Sequence, residues 1–367
     1  MLKKAIFRLM HLAGYYFRYT SVLHHPAKKA MLPGYVVTFD AAETAFLEQS
    51  AASFNYSIDY SLGYRQKALY LVRLKDVEFL GNSGAVVQQG NVVVESVFDI
   101  SRLAKSHAFK TPALLLPKYK RGLYTSVLHL PWAGNNTYHW FFDSLPRLYF
   151  VLQTVQEPIQ VIMRRDLPAY QLQTLQFILE NYPNATIVFI GRYEKWQAEE
   201  FILPTFVSNA QSGYLPADIS VWLREKVWHG YKVQRSSRKR RIYISRANAR
   251  IRRVLNEPEL LPILARYNFE VVHAEELSYE QQVQLFYEAE AVIAPHGAGL
   301  TNLLFSEQCR VLEFHPANRI KTHYFLLCKG LGFAYSAVIG SPGDAQENYV
   351  VDAREVEEWL EHNIGVS

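Results

Sequence analysis

The chain has 367 residues, of which 49% are hydrophobic and 20% charged, a balance that excludes an intrinsically disordered protein and is typical of two or three globular domains. Its two cysteines, Cys309 and Cys328, exclude a disulfide framework, lack metal-ligand spacing and fit a reducing compartment. The net charge of +5 is modest, which argues against a uniformly basic surface for nucleic acid.

Residues 1–20 mix four basic side chains with apolar ones. Their longest uncharged stretch, Leu9–Phe17, is too short to cross a bilayer, which needs about 20 apolar residues. Charges interrupt the apolar region, so a signal peptide is not expected. Two interpretations stay open: a basic amphipathic helix in peripheral contact with an anionic membrane, or a helix packed on its own domain. We therefore expect a cytoplasmic protein, peripheral on the inner membrane under the first interpretation.

The region up to about residue 120 is predicted to be rich in β-structure. Ala68–Leu74 and Val92–Val97 have the composition of strands, and the segments Gly81–Gly84 and Gln89–Asn91 between them are turn signals. We expect a small antiparallel sheet here.

Beyond Tyr124, strands and helices are predicted to alternate. The predicted strands are 159–163, 185–190, 241–245, 269–273, 291–294, 311–314 and 334–339. The predicted helices are 169–180, 218–230, 257–267, 278–289, 322–331 and 352–362. Alternation at this spacing indicates parallel sheet covered by helices on both faces, in which ligands bind at the carboxyl ends of the strands.

An asparagine pair followed by an aromatic run, within Asn135–Leu148, predicts a helix start. His139 and Asp143 are four residues apart, so a helix places them on one face. A carboxylate beside a histidine raises the histidine pKa and fixes its tautomer, as a general base requires. The alternative is a buried pair that only stabilises the helix.

Basic residues are densest between Arg235 and Arg253. The strand 241–245 delivers Ser245 and Arg246 to its carboxyl end, and Arg252 follows in the next loop. Because arginine forks match phosphate oxygens, this run predicts a phosphate site. A solvated basic face is the alternative.

The segment Ala291–Phe305 predicts a buried strand, a glycine turn and a helix start. Gly297 and Gly299 would permit positive φ and close backbone approach. Such a turn leaves backbone N–H groups at a helix N-terminus, which is a ready site for phosphate. Thr301 and Asn302 are expected to add side-chain donors.

For two further side chains, Glu313 and Asn256, the sequence predicts roles in ribose binding and helix capping. Glu313, in the following strand, is expected to accept hydrogen bonds from ribose hydroxyls. Asn256 is expected to cap the helix 257–267, with Glu259 in capping-box spacing. A tight strand–helix connection alone would also explain the glycine turn.

Taken together, the three clusters resemble glycosyltransferase family 61 (DUF563-type), which includes bacterial capsule and exopolysaccharide enzymes and eukaryotic xylosyl-, arabinosyl- and N-acetylglucosaminyltransferases. The resemblance covers roughly residues 74–314. The matching residues are Asn136, His139, Trp140, Asp143, Leu145, Pro146 and Arg147; Ile244, Ser245 and Arg246 with Arg252, Arg253, Asn256 and Glu257; and His296, Gly297, Ala298, Gly299, Leu300, Thr301 and Asn302.

The resemblance implies an α/β, GT-B-like fold, in which two Rossmann-like domains face a cleft beside a small β-rich N-terminal region. Residues 1–120 would supply the basic helix and β-rich part of the acceptor-side domain, and 121–215 its Rossmann-like part. Residues 216–345 would form the donor domain, and the C-terminal helix in 346–367 would pack back on the N-terminal domain.

The resemblance also implies an inverting, metal-independent hexosyl- or pentosyltransferase of surface polysaccharide biosynthesis, with a nucleotide-sugar donor, a glycan or lipid-linked glycan acceptor and no cofactor. The lack of an Asp-x-Asp motif agrees. Either His139 or Asp143 would be the base. The donor-binding residues would be Ser245, Arg246, Arg252, Arg253, Asn256, His296, Gly297, Ala298, Gly299, Leu300, Thr301, Asn302 and Glu313. The acceptor-side residues would be Asn136, Trp140 and Arg147.

Three other functions stay open. They are a nucleic-acid binder that uses Arg235–Arg253, which the modest net charge disfavours, a non-catalytic nucleotide- or carbohydrate-binding protein of GT-B fold, and a nucleotide-sugar epimerase.

Overall fold

The computed structural model describes residues 18–54, 63–81, 83–97, 116–128, 136–209 and 213–365. The basic segment 1–17, and with it the predicted membrane-contacting helix, lies outside the described residues. Among the helices that are described, none has both the length and the hydropathy needed to cross a membrane. The chain forms two compact units: unit 1 is Met1–Tyr35 with Gln66–Ala210, and unit 2 is Val36–Arg65 with Gln211–Ser367.

The described strands and the longer helices are numbered in chain order. The strands are β1 (Tyr19–Thr20), β2 (Lys28–Leu32), β3 (Tyr35–Val37), β4 (Tyr64–Gln66), β5 (Leu69–Leu80), β6 (Val86–Gln88), β7 (Asn91–Val93), β8 (Lys118–Ser126), β9 (Ile159–Arg164), β10 (Ala185–Ile190), β11 (Lys195–Pro204), β12 (Arg240–Ile244), β13 (Phe269–Val272), β14 (Ala289–Pro295), β15 (Arg310–Pro316) and β16 (Ala334–Gly340). The helices are α1 (Ala41–Ser53), α2 (Leu148–Thr154), α3 (Ala169–Leu179), α4 (Ala217–Gly230), α5 (Glu257–Arg266), α6 (Tyr279–Glu288), α7 (His323–Leu331) and α8 (Ala353–Asn363).

Unit 1 is built on a mixed sheet with the order β1-β7-β6-β5-β11-β8-β9-β10, and β2 also pairs with β5. The predicted antiparallel sheet is present as β5, β6 and β7. It is not a separate sheet, because β11 pairs antiparallel with β5 and parallel with β8. Strands β8 and β11 were not predicted from the sequence. They join the two predicted regions into one sheet.

Unit 2 contains a wholly parallel sheet with the order β13-β12-β14-β15-β16. The predicted alternation of strands and helices is confirmed here, and the chain is an α/β protein. Its interior strands are buried, as expected for a sheet covered on both faces. The order reverses at β12, since β13 lies on one side of it and β14 on the other. In open α/β sheets, ligands bind at the carboxyl ends of the strands at such a reversal.

Residues 36–65 and the C-terminal helix both belong to unit 2. In α1, the Phe46 ring packs on the rings of His315 and Tyr335, and Glu43 forms an ion pair with Lys329. This segment therefore groups with unit 2, although the sequence analysis assigned it to the N-terminal region 1–120. The C-terminal helix α8 packs on α5, and it shares the core of unit 2.

Candidate functional site

The first site element in unit 1 is an irregular helix that begins at Asn136. The Asn136 side chain accepts a hydrogen bond from the Tyr138 N–H at 3.0 Å, so the predicted helix start is confirmed and Asn136 is its cap. The segment continues as a π-helical turn, Trp140–Ser144, and then a 3₁₀ turn, Leu145–Arg147. π-turns of this kind are rare and are frequent at functional sites.

The helix brings His139 and Asp143 together as predicted. His139 Nδ1 lies 2.5 Å from Asp143 Oδ2, and the Ser208 hydroxyl donates to the other carboxylate oxygen, Oδ1. The Asp143 side chain is 1% exposed and that of His139 is 21% exposed. A carboxylate with both oxygens engaged and so little exposure orients a neighbour rather than receiving a substrate proton. The geometry therefore favours His139, through Nε2, as the proton acceptor.

A lysine extends this hydrogen-bonded group. Lys67 Nζ donates to the Ser208 carbonyl oxygen at 2.8 Å. Burial lowers the pKa of Lys67 to about 8, while the negative charge of Asp143 opposes that shift and Arg147 adds to it. Neither Lys67 nor Ser208 was predicted from the sequence, because neither lies in a motif and only the folded chain brings them near Asp143.

Replacing Ser208 with alanine is expected to lower the rate of the sugar transfer that the resemblance implies by about 10- to 150-fold, because a hydrogen bond to a charged group is worth about 1.5–3 kcal/mol. Steady-state kinetics of the Ser208→Ala protein measures the loss. Ser96→Ala is the matched control, since Ser96 is also a buried serine of unit 1, bonded to the Val86 N–H and the Val93 carbonyl oxygen. An equal loss of rate in both variants would show that Ser208 acts on stability alone.

Two residues predicted to face the acceptor are buried instead. The Trp140 indole N–H donates to Thr174 Oγ1 at 2.9 Å. Arg147 donates to the carbonyl oxygens of Leu128 and Pro204, and burial lowers its pKa to about 9 against the influence of Asp143. Through these two carbonyl groups, Arg147 holds the carboxyl ends of β8 and β11 in place. These contacts give Trp140 and Arg147 structural roles, and their assignment to the acceptor side stays a prediction.

In unit 2, two segments follow the strands at which the sheet order reverses. They are the arginine loop, residues 245–256, and the glycine turn, residues 296–302. Ser245 and Arg246 come directly after β12, and His296 and Gly297 come directly after β14. The structure thus brings together two of the predicted clusters. The rule for open α/β sheets places a ligand at this position.

Gly297 is needed in the turn because it has no side chain, and not because the backbone conformation there is unusual. Gly297 has φ −178°, an extended conformation that any residue adopts, and Gly299 is not among the positive-φ glycines, so the predicted positive φ is wrong. A Cβ at Gly297 would lie 2.3 Å from Nη1 of Arg246. Gly297 therefore lets the guanidinium lie directly on the turn. Ala298 is exposed and Gly299 half-buried, so their amides form the open edge of this turn.

Arg246 has unused donor capacity. Its Nη2 donates to the Ile251 carbonyl oxygen at 3.0 Å, and its Nε is buried with no hydrogen-bond partner among the described residues. Burial lowers the Arg246 pKa, and the charge of Arg252 lowers it further. Two guanidinium groups whose charges interact attract an anion, and a phosphate oxygen would accept a hydrogen bond from the unpaired Nε–H.

Arg252 and Arg253 differ in their surroundings. Arg252 has φ 62° and donates from Nη1 to the His296 carbonyl oxygen at 3.0 Å, so it ties the arginine loop to the glycine turn. Arg253 is exposed, and its backbone N–H donates to Asn348 Oδ1. Arg252 is thus the better candidate of the two for a ligand at the turn.

Two residues of the arginine loop point into the protein. Ser245 Oγ donates to Glu257 Oε1 at 2.6 Å. Asn256 does not form the predicted capping box, because its side chain pairs with both backbone groups of Val351 and with Glu259 Oε2. Both residues shape the loop, and neither is placed to bind a donor directly.

The buried polar side chains of the turn also bond to other groups of the protein. Asn302 Nδ2 donates to Gln282 Oε1, and Asn302 Oδ1 accepts from the Tyr279 hydroxyl. Thr301 Oγ1 lies 3.4 Å from the Tyr324 hydroxyl, and Leu300 is buried. The predicted side-chain donors at Thr301 and Asn302 are therefore unavailable, and the exposed backbone of the turn is what remains for phosphate.

A buried hydrogen-bonded group lies beneath the turn. His296 Nδ1 lies 2.5 Å from Glu313 Oε1, the Tyr335 hydroxyl donates to Oε2 at 2.7 Å, and His315 Nε2 is 3.4 Å from Oε2. Burial lowers the pKa of His296 to about 3, although Glu313 opposes the shift, so the neutral ring donates from Nδ1. The Glu313 side chain is 0% exposed, which argues against the predicted ribose contact.

Glu313 is therefore a positioning partner of His296. Burial acts to raise the pKa of Glu313. Its electrostatic and hydrogen-bonding interactions with His315 and His296 outweigh burial and lower that pKa. The ligand atoms of His296, Glu313 and His315 all lie within 4.8 Å of one another, and these residue types could hold a divalent metal ion. Their mutual hydrogen bonds, however, already account for their placement.

Replacing Tyr335 with phenylalanine removes one hydrogen bond to the buried carboxylate. We expect a loss of about 1–3 kcal/mol in the free energy of unfolding. We also expect weaker binding of the donor nucleotide that the resemblance implies, because His296 loses its fixed orientation. Tyr349→Phe is the control: the buried Tyr349 hydroxyl donates to a neutral group, the Phe314 carbonyl oxygen, at 2.8 Å. Chemical unfolding and calorimetry together separate the two effects. Donor affinity that falls equally in both variants would contradict this role of Tyr335.

Comparison with known proteins agrees with the sequence resemblance. Residues 137–312 match the family model described as Glycosyltransferase 61. This span includes His139, Asp143, the arginine loop and the glycine turn, and it ends just before Glu313. A search of curated proteins finds no match. This match indicates that the chain is a glycosyltransferase enzyme.

Proposed function

We propose that this glycosyltransferase moves a sugar from a nucleotide-sugar donor to a hydroxyl of a glycan acceptor with inversion at the anomeric carbon. The observation that carries the proposal is the buried Asp143, which binds Nδ1 of a partly exposed histidine and is itself held by Ser208. This is how proteins orient a histidine that accepts a proton.

In this mechanism, His139 Nε2 accepts the proton of the acceptor hydroxyl as its oxygen attacks the anomeric carbon. The bond between that carbon and the donor phosphate breaks, and its electron pair leaves with the nucleoside diphosphate. Asp143 stabilises the imidazolium that forms. A single displacement of this kind inverts the configuration of the sugar.

The donor diphosphate would bind in unit 2, on the open amides of Ala298 and Gly299 and on the guanidinium groups of Arg246 and Arg252. These groups offset the charge that develops on the leaving group, where fixed donors have their largest effect on the rate. Since arginines supply this positive charge, we propose that the transfer is metal-independent. The GT-B arrangement, surface polysaccharide as the product, and cytoplasmic work at the inner membrane are further parts of the proposal.

A thermal-shift screen against a panel of sugar nucleotides tests this function first. A ligand that binds only the folded state raises the midpoint of unfolding, so the selective stabiliser identifies the donor. The donor is then incubated with glycan acceptors in the presence of a chelator, and the products are analysed by mass spectrometry. A product heavier by one sugar supports the proposal. Conversion of the donor to a different sugar nucleotide without an acceptor would identify an epimerase, and binding without turnover a non-catalytic protein.

A further inference from the structure

A groove in unit 1, separate from the base and from the donor residues, carries positive charge. Its volume is about 310 Å³, and its lining includes Lys118, Lys120, Arg165, Phe189, Glu194 and Trp196. This volume is at the lower end of ligand pockets, about 300–1,000 Å³. None of these residues has a role in the proposed mechanism.

The acidic residue of the groove is already used by the protein. Glu194 accepts a hydrogen bond from Lys118 Nζ at 2.8 Å and further ones from the Trp196 indole N–H and the Gly191 N–H. The bond from Lys118 lowers the pKa of Glu194 to about 2, although burial opposes the shift, so the carboxylate stays ionised and paired. Lys118 and Glu194 therefore cancel each other's charge.

The net charge of the groove then comes from Lys120 and Arg165. Within the described part of the chain, neither forms an ion pair. The Lys120 ammonium lies 4.4 Å from the centre of the Trp196 ring, which holds it over the groove floor. Arg165 is exposed at the rim. The groove therefore carries two cations in addition to the Lys118–Glu194 ion pair, which suits it to an anion.

An exposed aromatic ring adds a second kind of contact. Phe189 lines the groove and is 37% exposed. The apolar face of a sugar ring can pack on such a side chain, while Lys and Arg bind its charged substituent. Single-stranded nucleic acid requires a basic track with several rings on which bases stack. The combination of two cations and one open ring favours a short saccharide.

We propose that this groove binds a carboxylate-bearing segment of the acceptor saccharide, with Lys120 and Arg165 on its acidic groups and Phe189 on a sugar ring. The inference rests on the proposed function in naming the ligand as part of the acceptor. It extends that function by assigning an acidic glycan as the acceptor class and by placing a binding site away from the reacting hydroxyl.

Calorimetry of the full chain tests the groove without donor or turnover. The probes are an oligogalacturonate and maltohexaose, a neutral saccharide of similar size. We expect oligogalacturonate to bind at least tenfold more tightly than maltohexaose and to weaken as salt is raised. The double variant Lys120→Gln/Arg165→Gln is expected to lose at least tenfold in affinity for oligogalacturonate.

The control is Lys28→Gln, because Lys28 Nζ also lies 4.4 Å from an aromatic ring centre, that of Tyr70, elsewhere in unit 1. It should bind oligogalacturonate as the unmodified protein does, and circular dichroism checks that all variants fold. Equal affinity for both saccharides, no binding of oligogalacturonate, an unaffected double variant, or tighter binding of an oligothymidylate would each overturn the proposal. Failure of the proposed function would appear separately, as the absence of any stabilising sugar nucleotide.

Discussion

Replacing His139 with alanine is expected to lower the rate of sugar transfer by about 10²–10⁴-fold, the contribution of a general base, and to leave the affinity for nucleoside diphosphate unchanged. Asp143→Asn is expected to have a comparable effect, because an amide can donate to Nδ1 and so favour the wrong tautomer of the ring. Transfer kinetics and calorimetry with the nucleoside diphosphate measure the two quantities separately.

The control for this pair is His362→Ala. Its imidazole also bonds within one helical turn, from Nδ1 to the Glu358 carbonyl oxygen, but it is exposed and in α8. We expect this variant to transfer sugar at the normal rate. Normal transfer by both His139→Ala and Asp143→Asn would show that the base lies elsewhere, while loss of nucleotide affinity in either would contradict the separation of base and donor residues.

The second large effect concerns Arg246 and the glycine that makes room for it. Arg246→Ala should weaken binding of nucleoside diphosphate by about 10- to 100-fold, since it removes charge-assisted hydrogen bonds to phosphate. Gly297→Ala should weaken it similarly. A Cβ there would lie 2.3 Å from Nη1 and 3.0 Å from Cζ of Arg246, and this flexible side chain would swing away without unfolding the protein.

Because both changes act through one guanidinium, the double variant should bind no more weakly than Arg246→Ala alone. Gly299→Ala is the matched control, since it keeps the backbone N–H proposed to bind phosphate and the nearest atom to its Cβ would be Ile244 Cγ2 at 3.4 Å. Calorimetry on the four proteins decides the matter. Unchanged affinity in Gly297→Ala, or additive losses in the double variant, would contradict the phosphate role of Arg246.

The order of elements in unit 2 could be predicted because apolar strand patterns and helix patterns alternate there at regular spacing. The pairing of β11 could not, since it joins β5 and β8, which are far from it in sequence. The segment 36–65 was misplaced for the same reason. The packing of Phe46 on the rings of His315 and Tyr335, with the Glu43–Lys329 ion pair, shows that it groups with unit 2.

The candidate site shows a similar division. The spacing of His139 and Asp143 was enough to predict their contact, because four residues make one turn of a helix. Burial could not be predicted from the sequence, and the interior positions of Glu313, Asn302 and Arg147 argue against the ligand contacts predicted for them. Ser208, Lys67 and Tyr335 were missed, since each acts through one neighbour that the fold alone supplies.

The configuration of the transferred sugar tests the central claim most directly. If His139 deprotonates the acceptor for a single displacement, proton NMR of the product should show an anomeric configuration opposite to that of the donor. Retention of the donor configuration would contradict this mechanism, because it requires either a covalent intermediate or front-face attack instead of a single displacement.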